Sequence, residues 1–137
     1  MHFPRLLTPV LLSLAVLTSA CGEPEAACLV GAQQARTELL FGLDRDGAPP
    51  ISDTEWQGFV DTSVTPLFKE GLTIVDAGGQ YLMATGELVK ENSKLMILLH
   101  DGSSGRSKDI DAIRDAFKQQ FNQEAVLRID TTACVAF

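Results

Sequence analysis

The order in which hydrophobic periodicity changes along this chain leaves few ways to fold it. A period of two, the pleat of a strand, runs from Thr37 to Leu43, where Leu39, Phe41 and Leu43 alternate with Glu38, Leu40 and Gly42. The period then lengthens to that of a helix. Trp56, Phe59, Val60, Val64 and Leu67 share one face behind Ser52-Asp53-Thr54-Glu55, a capping box whose Ser and Glu side chains satisfy orphan backbone donors. Pro66 and Gly71 punctuate its end. Leu72-Thr73-Ile74-Val75 opens a long hairpin, in which Gly78-Gly79 suggests a bulge or bend and Met83-Ala84-Thr85-Gly86 the turn. The return limb runs from Glu87 to Glu91 and from Lys94 to His100. Pairing Leu82 with Glu87 sets Val75 opposite Lys94 and Thr73 opposite Met96, with a shift of one if the glycines bend the limb. Leu95 through Leu99 is unbroken apolar sequence, the mark of a strand covered on both sides or central in its sheet.

A second helical period runs from about Ser107 to Phe121, with Ile110, Ile113, Ala116, Phe117 and Phe121 on one face. Asp109, Asp111, Arg114, Asp115 and Lys118 occupy the other, a solvated face. The last strand is Ala125 to Ile129, continued by Ala133 to Phe137 after a polar break. The order β-α-β-β-α-β is the split βαβ pattern, an α+β ferredoxin-like sandwich with two helices on one face of a four-stranded antiparallel sheet. Its first and last strands are neighbours.

The N-terminal stretch gives an address. Arg5, a short apolar run from Leu6 and the small residues Thr18-Ser19-Ala20 make a secretory signal over residues 1–20. The run falls short of the roughly 20 apolar residues that span a bilayer. Cys21 sits where a bacterial lipoprotein carries its lipid, and Gly22-Glu23-Pro24-Glu25 makes a polar tether, so residues 21–36 read as anchor and lead-in and 37–137 as the domain. Thr18 stands where the best lipoprotein boxes have an aliphatic residue, and a freely secreted form is the alternative. The expected location is the cell envelope, facing the periplasm or the cell surface, with the membrane engaged through Cys21.

Processing leaves about 117 residues, one domain able to bury a core. With Cys21 assigned to lipid, Cys28 and Cys134 remain as an even pair in an oxidising compartment, which reads as one disulfide between neighbouring strand ends. A redox or metal pair is the weaker reading, without a CxxC and with His100 the one mature histidine. The chain carries a formal net charge of −7, and phosphate backbones call for clustered Lys and Arg, so nucleic acid is not an expected partner.

Several of these segments also carry a resemblance. They are Thr-Glu-Leu-x-Phe-Gly-Leu at 37–43, Ile-Ser-Asp-Thr-Glu-Trp-Gln-x-Phe at 51–59, Val-Thr-Pro-x-Phe at 64–68, Gly-Leu-Thr-Ile-Val-Asp at 71–76, Gly-Gln-Tyr at 79–81, Ser-Lys-Leu at 93–95, and Val-Leu-Arg-Ile-Asp with Cys-Val-Ala-Phe at the end. Together they resemble a family of small bacterial exported proteins known as domain of unknown function 3574, over nearly all of residues 28–137. Tyr81 departs from the pattern, which places Trp there. The resemblance implies an exported location and supplies no catalytic residues.

No P-loop, GxSxG, HExxH or metal-spaced Cys/His set is present, and no cofactor is called for. The candidate catalytic residues are Glu38 inside the first strand, Asp76 at the end of the second, and His100, which titrates near neutrality. Each has a structural reading beside the chemical one: a solvent-facing carboxylate, a turn cap, a strand-end histidine. Trp56 is expected to anchor the first helix. Gln80, Tyr81 and Glu91 on the far limb of the hairpin, with Arg128 on the last strand, form a candidate ligand or partner patch. A salt bridge from Arg128 to Glu38 is its structural alternative. Leu40 beside Leu39 hints that both sheet faces are apolar, which calls for a covered open face and a homodimer through it. Two functions follow as expectations. One is a non-catalytic binding or interaction domain using the open face and hairpin. The other is a small cofactor-independent enzyme of isomerase or monooxygenase type, which requires Glu38, Asp76 or His100 to share a pocket.

Overall fold

The computed structural model describes residues 27–137. The signal segment 1–20 and Cys21 lie outside the described residues. The elements follow the order β1 (Ala32–Gly42), α1 (Asp53–Phe59), a π-helical turn (Val60–Val64), β2 (Thr73–Leu82), β3 (Leu88–His100), α2 (Ser104–Phe121) and β4 (Leu127–Val135). The four strands form one antiparallel sheet in the order β2-β3-β1-β4. The apolar run Leu95 to Leu99 accordingly lies in β3, an interior strand, and β1 and β4 are neighbours.

Ser52 caps α1: its hydroxyl accepts from the Glu55 N–H at 3.3 Å, and Glu55 accepts from the Ser52 N–H at 2.8 Å. The helix does not continue in α form to Leu67. Beyond Phe59 it widens, and the Thr65 N–H reaches the Val60 carbonyl at 2.9 Å. Pro66 explains this, because it has no N–H to offer the Thr62 carbonyl and its ring would crowd that group. The widened turn still buries Val60 and Val64. Ser103 caps α2 by accepting from the Arg106 N–H, and Asn122 ends it in the left-handed region at φ 54°.

The core lies between the helices and one sheet face. Phe41, Trp56, Phe59, Phe117 and Phe121 form an aromatic cluster with Phe41–Trp56 centroids 5.1 Å apart and Phe41–Phe117 4.8 Å, edge to face. Trp56 is an anchor of α1 on the sheet, buried against Phe41.

Three expectations need correction. β1 begins at Ala32 rather than Thr37, so residues 32–36, counted as lead-in, form its first half, all paired with β4, and Ala35 and Arg36 with β3 as well. The hairpin register is one residue from the uncorrected pairing: Leu82 faces Leu88, Val75 faces Leu95 and Thr73 faces Ile97. The cause is the turn, not the glycines. Met83 donates to the Glu87 carbonyl and accepts from Gly86, which takes φ 87°, a three-residue loop closed by a left-handed glycine. Gly78 and Gly79 sit in unbroken ladder opposite Asn92 and Glu91. In β4 the polar residues Asp130 to Thr132 continue the pairing with Thr37, Arg36 and Ala35, so there is no break.

The disulfide is present: Cys28 and Cys134 are joined with their Cα atoms 5.5 Å apart. It ties the segment before β1 to the end of β4.

Candidate functional site

Strand alternation decides which side chains can meet. Thr37, Leu39 and Phe41 point into the helix-covered core. Arg36, Glu38 and Leu40 point to the open face. Antiparallel partners share a face, so the register places Val75, Leu95, Leu40 and Leu127 in one row across all four strands of the open face. The next row is Thr73, Ile97, Glu38 and Ile129. Val75, Leu127 and Ile129 are between two-fifths and three-fifths exposed, and no helix covers them. In the middle of this face the Arg36 guanidinium pairs with Glu38 at 2.6 Å, and Arg36 Nε is buried without an acceptor.

The end of the helix-covered face holds a polar chain. Thr37 is fully buried; its hydroxyl donates to Asp130 at 2.5 Å and lies 2.9 Å from His100 Nε2. The Gly102 N–H donates to His100 Nδ1 at 3.1 Å. With Nδ1 accepting, the neutral ring carries its proton on Nε2 and donates to Thr37, whose own proton goes to Asp130. Arg128 holds Asp130 at 2.9 Å and Asp111 at 3.1 Å, and its Nη2 donates to the Ser107 hydroxyl. Burial pushes the Asp130 carboxyl up, but hydrogen bonds from Thr37 and Arg128 and the Arg128 charge outweigh it and leave it below the usual range. Burial pushes the His100 imidazole down, against the opposing pull of Asp101 and Asp130. The ring is thus held neutral near neutral pH.

Beside this chain, a cleft of about 820 Å³ opens between the start of β1, the loop before β2 and the end of β3. Leu99, Ile97 and Thr73 line it with His100, Asp101 and Arg106. Arg106 is committed to the fold: it donates to the Leu67 carbonyl and to Glu70, and its guanidinium lies 5.0 Å from the Phe68 ring centroid.

The structure does not bring the three catalytic candidates together. Glu38 is on the open face with Arg36. Asp76 is on β2, where its well-exposed carboxylate accepts from Lys94 at 2.6 Å; Lys94 also reaches Asp53 and so ties the start of α1 to the sheet. The bond from Asp76, then that from Asp53, raises the Lys94 ammonium above its ordinary value. His100 lies six residues along β3 from Lys94, roughly 20 Å away. The patch residues divide as well. Gln80 and Glu91 line one shallow recess of about 490 Å³ with Lys90 and Asp44. Tyr81 is half-exposed near them, whereas Arg128 lies on the opposite edge strand and on the other face from Glu38, so the Arg128–Glu38 bridge is not formed.

Thr37 and Asp130 are not among the site residues expected from the sequence, although the alternation with Leu39 and Phe41 is a signal that Thr37 points inward. Asp111 and Arg114, read as a solvated face, are anchors: Arg114 donates to the Val126 carbonyl at 3.0 and 3.1 Å. Among the described residues no group of three or more His, Cys, Asp or Glu side chains is placed to hold a metal ion.

This sheet order with its two helices on one side defines the α+β ferredoxin-like class. The chain is similar in fold to a phage SAM lyase solved in its apo state, with a TM-score of 0.57 at 21% identity over 79% of this chain and 87% of the other. The same lyase in complex with S-methyl-5'-thioadenosine gives 0.55 at 21% identity over 77% and 84%. CutA from Synechococcus elongatus PCC7942 gives 0.50 at 13% identity over 77% and 81%. No curated protein matches the sequence. Within the class the chain belongs to DUF3574, a family of proteins of unknown function, matched over residues 36–137.

Proposed function

We propose that the chain is a non-catalytic interaction domain of the cell envelope, tethered through lipid on Cys21, whose open sheet face binds a second copy of itself. The observation that carries this reading is the uncovered face: one apolar row spanning the sheet with Ile97 and Ile129 beside it, and Val75, Leu127 and Ile129 left to water. Contiguous exposed apolar side chains on a sheet face are the mark of an interaction site. The Arg36–Glu38 pair at its centre is self-complementary. A two-fold axis there brings Glu38 of a second copy toward the buried, unpartnered Arg36 Nε. Against catalysis stands the saturation of His100, whose two ring nitrogens are already engaged by Thr37 and Gly102.

Sedimentation of the processed chain tests this. The wild type is expected to run as a dimer, and the Leu127→Glu, Ile129→Glu double variant as a monomer with an unchanged melting curve, because both residues are exposed in the single copy. A wild type that stays monomeric at high micromolar concentration overturns the dimer.

The cleft beside His100 favours a second reading, a small cofactor-independent enzyme. The phage SAM lyase was solved with S-methyl-5'-thioadenosine, which makes that nucleoside a reasonable first probe. Calorimetric titration with it, showing saturable heat that His100→Gln abolishes, would favour this second reading over the first.

A further inference from the structure

Among the described residues the three most exposed large apolar side chains are Phe137, Leu29 and Val30. They belong to one end of the sheet. The Cys28–Cys134 bridge and the Ala32–Val135 pairing hold the two segments side by side. Gly31, at φ 77°, lies so close to the Val135 carbonyl that a Cβ there would fall 2.0 Å from its oxygen. The two segments themselves are uncharged: apart from the bridged Cys28 and Cys134, residues 27–35 and 131–137 include no ionisable side chain, in a chain where 21% of residues are charged, and Glu70, Asp101 and Arg106 line the cleft that Phe137 borders. The same end is where the chain enters the domain. Cys21 precedes Ala27 by six residues, which cannot span more than about 20 Å.

We infer that this tip is a bilayer-contacting surface, with Leu29, Val30 and Phe137 seated at the headgroup–acyl boundary and the sheet standing end-on to the membrane. The inference rests on the tether reading, because the short tether is what delivers the tip to lipid. A bilayer suits the tip better than a protein partner does. It asks only for exposed apolar side chains on uncharged segments at the end of the domain, and the acidic remainder of the domain is repelled by anionic headgroups. End-on seating keeps the open face clear of the membrane and available to a second copy.

The test uses the full chain, expressed with its own signal in a bacterial host and reconstituted into phosphatidylcholine–phosphatidylglycerol vesicles with brominated acyl chains. Three separate variants carry a reporter: Leu29→Trp, Phe137→Trp and, roughly 40 Å away along the strands, Tyr81→Trp. Native Trp56 is buried and gives a constant background. Bromine is expected to quench the reporters at positions 29 and 137 by about twofold or more and to spare that at 81, equally in low and high salt, since apolar seating is not screened. Vesicle-bound protein with lipid confirmed on Cys21 but no quenching at 29 and 137 overturns the tip and leaves the tether intact. Protein that carries no lipid overturns the tether. Added to the same vesicles, it then reads the tip alone, with quenching supporting it and its absence overturning it. A blue shift at 137 that follows protein concentration without bromine quenching overturns the bilayer in favour of self-association.

Discussion

The Thr37 hydroxyl joins β1 to β3 and β4 at one end of the core, accepting from His100 and donating to Asp130. Replacing it with the isosteric Val keeps the volume and deletes both bonds. Thr37→Val is therefore expected to cost about 1–3 kcal/mol, read as a lower urea midpoint at unchanged slope. The His100 ring makes a separate prediction. Its proton affinity is lower folded than unfolded, so as pH falls the unfolded chain takes up the proton first. The corresponding stability is complete above the ordinary imidazole value of 6.5 and declines as pH falls from there through the depressed folded value. Lowered carboxylates at Glu55, Glu70, Asp101, Asp111 and Asp130 act with the same sign, but only below their ordinary values of 3.8 to 4.5. Among the described residues the window just below 6.5 thus belongs to His100. Urea midpoints taken at about pH 7 and about pH 5.5 should fall in the wild type and stay nearly level in His100→Gln. An equal fall in both would assign the dependence elsewhere.

At the scale of elements, the glycines of the hairpin separate two roles that composition alone confuses. Gly86 takes φ 87° and closes the three-residue loop, whereas Gly78 lies in regular ladder with no atom nearer than 3.8 Å to a built Cβ. Gly86→Ala should destabilise by about 1–2 kcal/mol, and Gly78→Ala should be neutral or slightly stabilising, by thermal melts of both. This distinction is also where legibility in the sequence ended. Periodicity located both helices and all four strands, because burial on one face imposes the period directly. Register is set instead by turn geometry, and a slip of one residue exchanges the faces of a strand. That parity governs the site: Arg128 was matched with Glu38, but the ladder sets it beside Leu39 on the covered face, where it meets Asp130 and Asp111. His100 and Thr37 were each visible in the sequence, while their contact depends on a long-range pairing that local pattern does not contain. The π-helical turn had a visible cause in Pro66 but an outcome, widening rather than a stop, that tertiary burial of Val60 and Val64 decided.

For the whole molecule, the decisive constraint is the bridge between residues 106 apart. Cys28 precedes β1 and Cys134 lies in β4, so the bridge spans nearly all of the described chain while joining strands that already pair. In the folded state it adds little that the β1–β4 ladder does not supply, so its contribution acts on the unfolded chain. A closed loop of this length removes conformational freedom worth about 4–5 kcal/mol by the chain-entropy argument. The Cys28→Ser, Cys134→Ser double variant should therefore lose stability of that order. Its denaturant slope should rise, because the open unfolded chain exposes more surface. A small loss at constant slope would mean that the bridge only staples a fraying end. That second outcome would bear on the proposed bilayer-contacting tip too. With the staple cut, Leu29 and Val30 would part from Phe137, and bromine quenching at 29 and 137 would cease to rise and fall together.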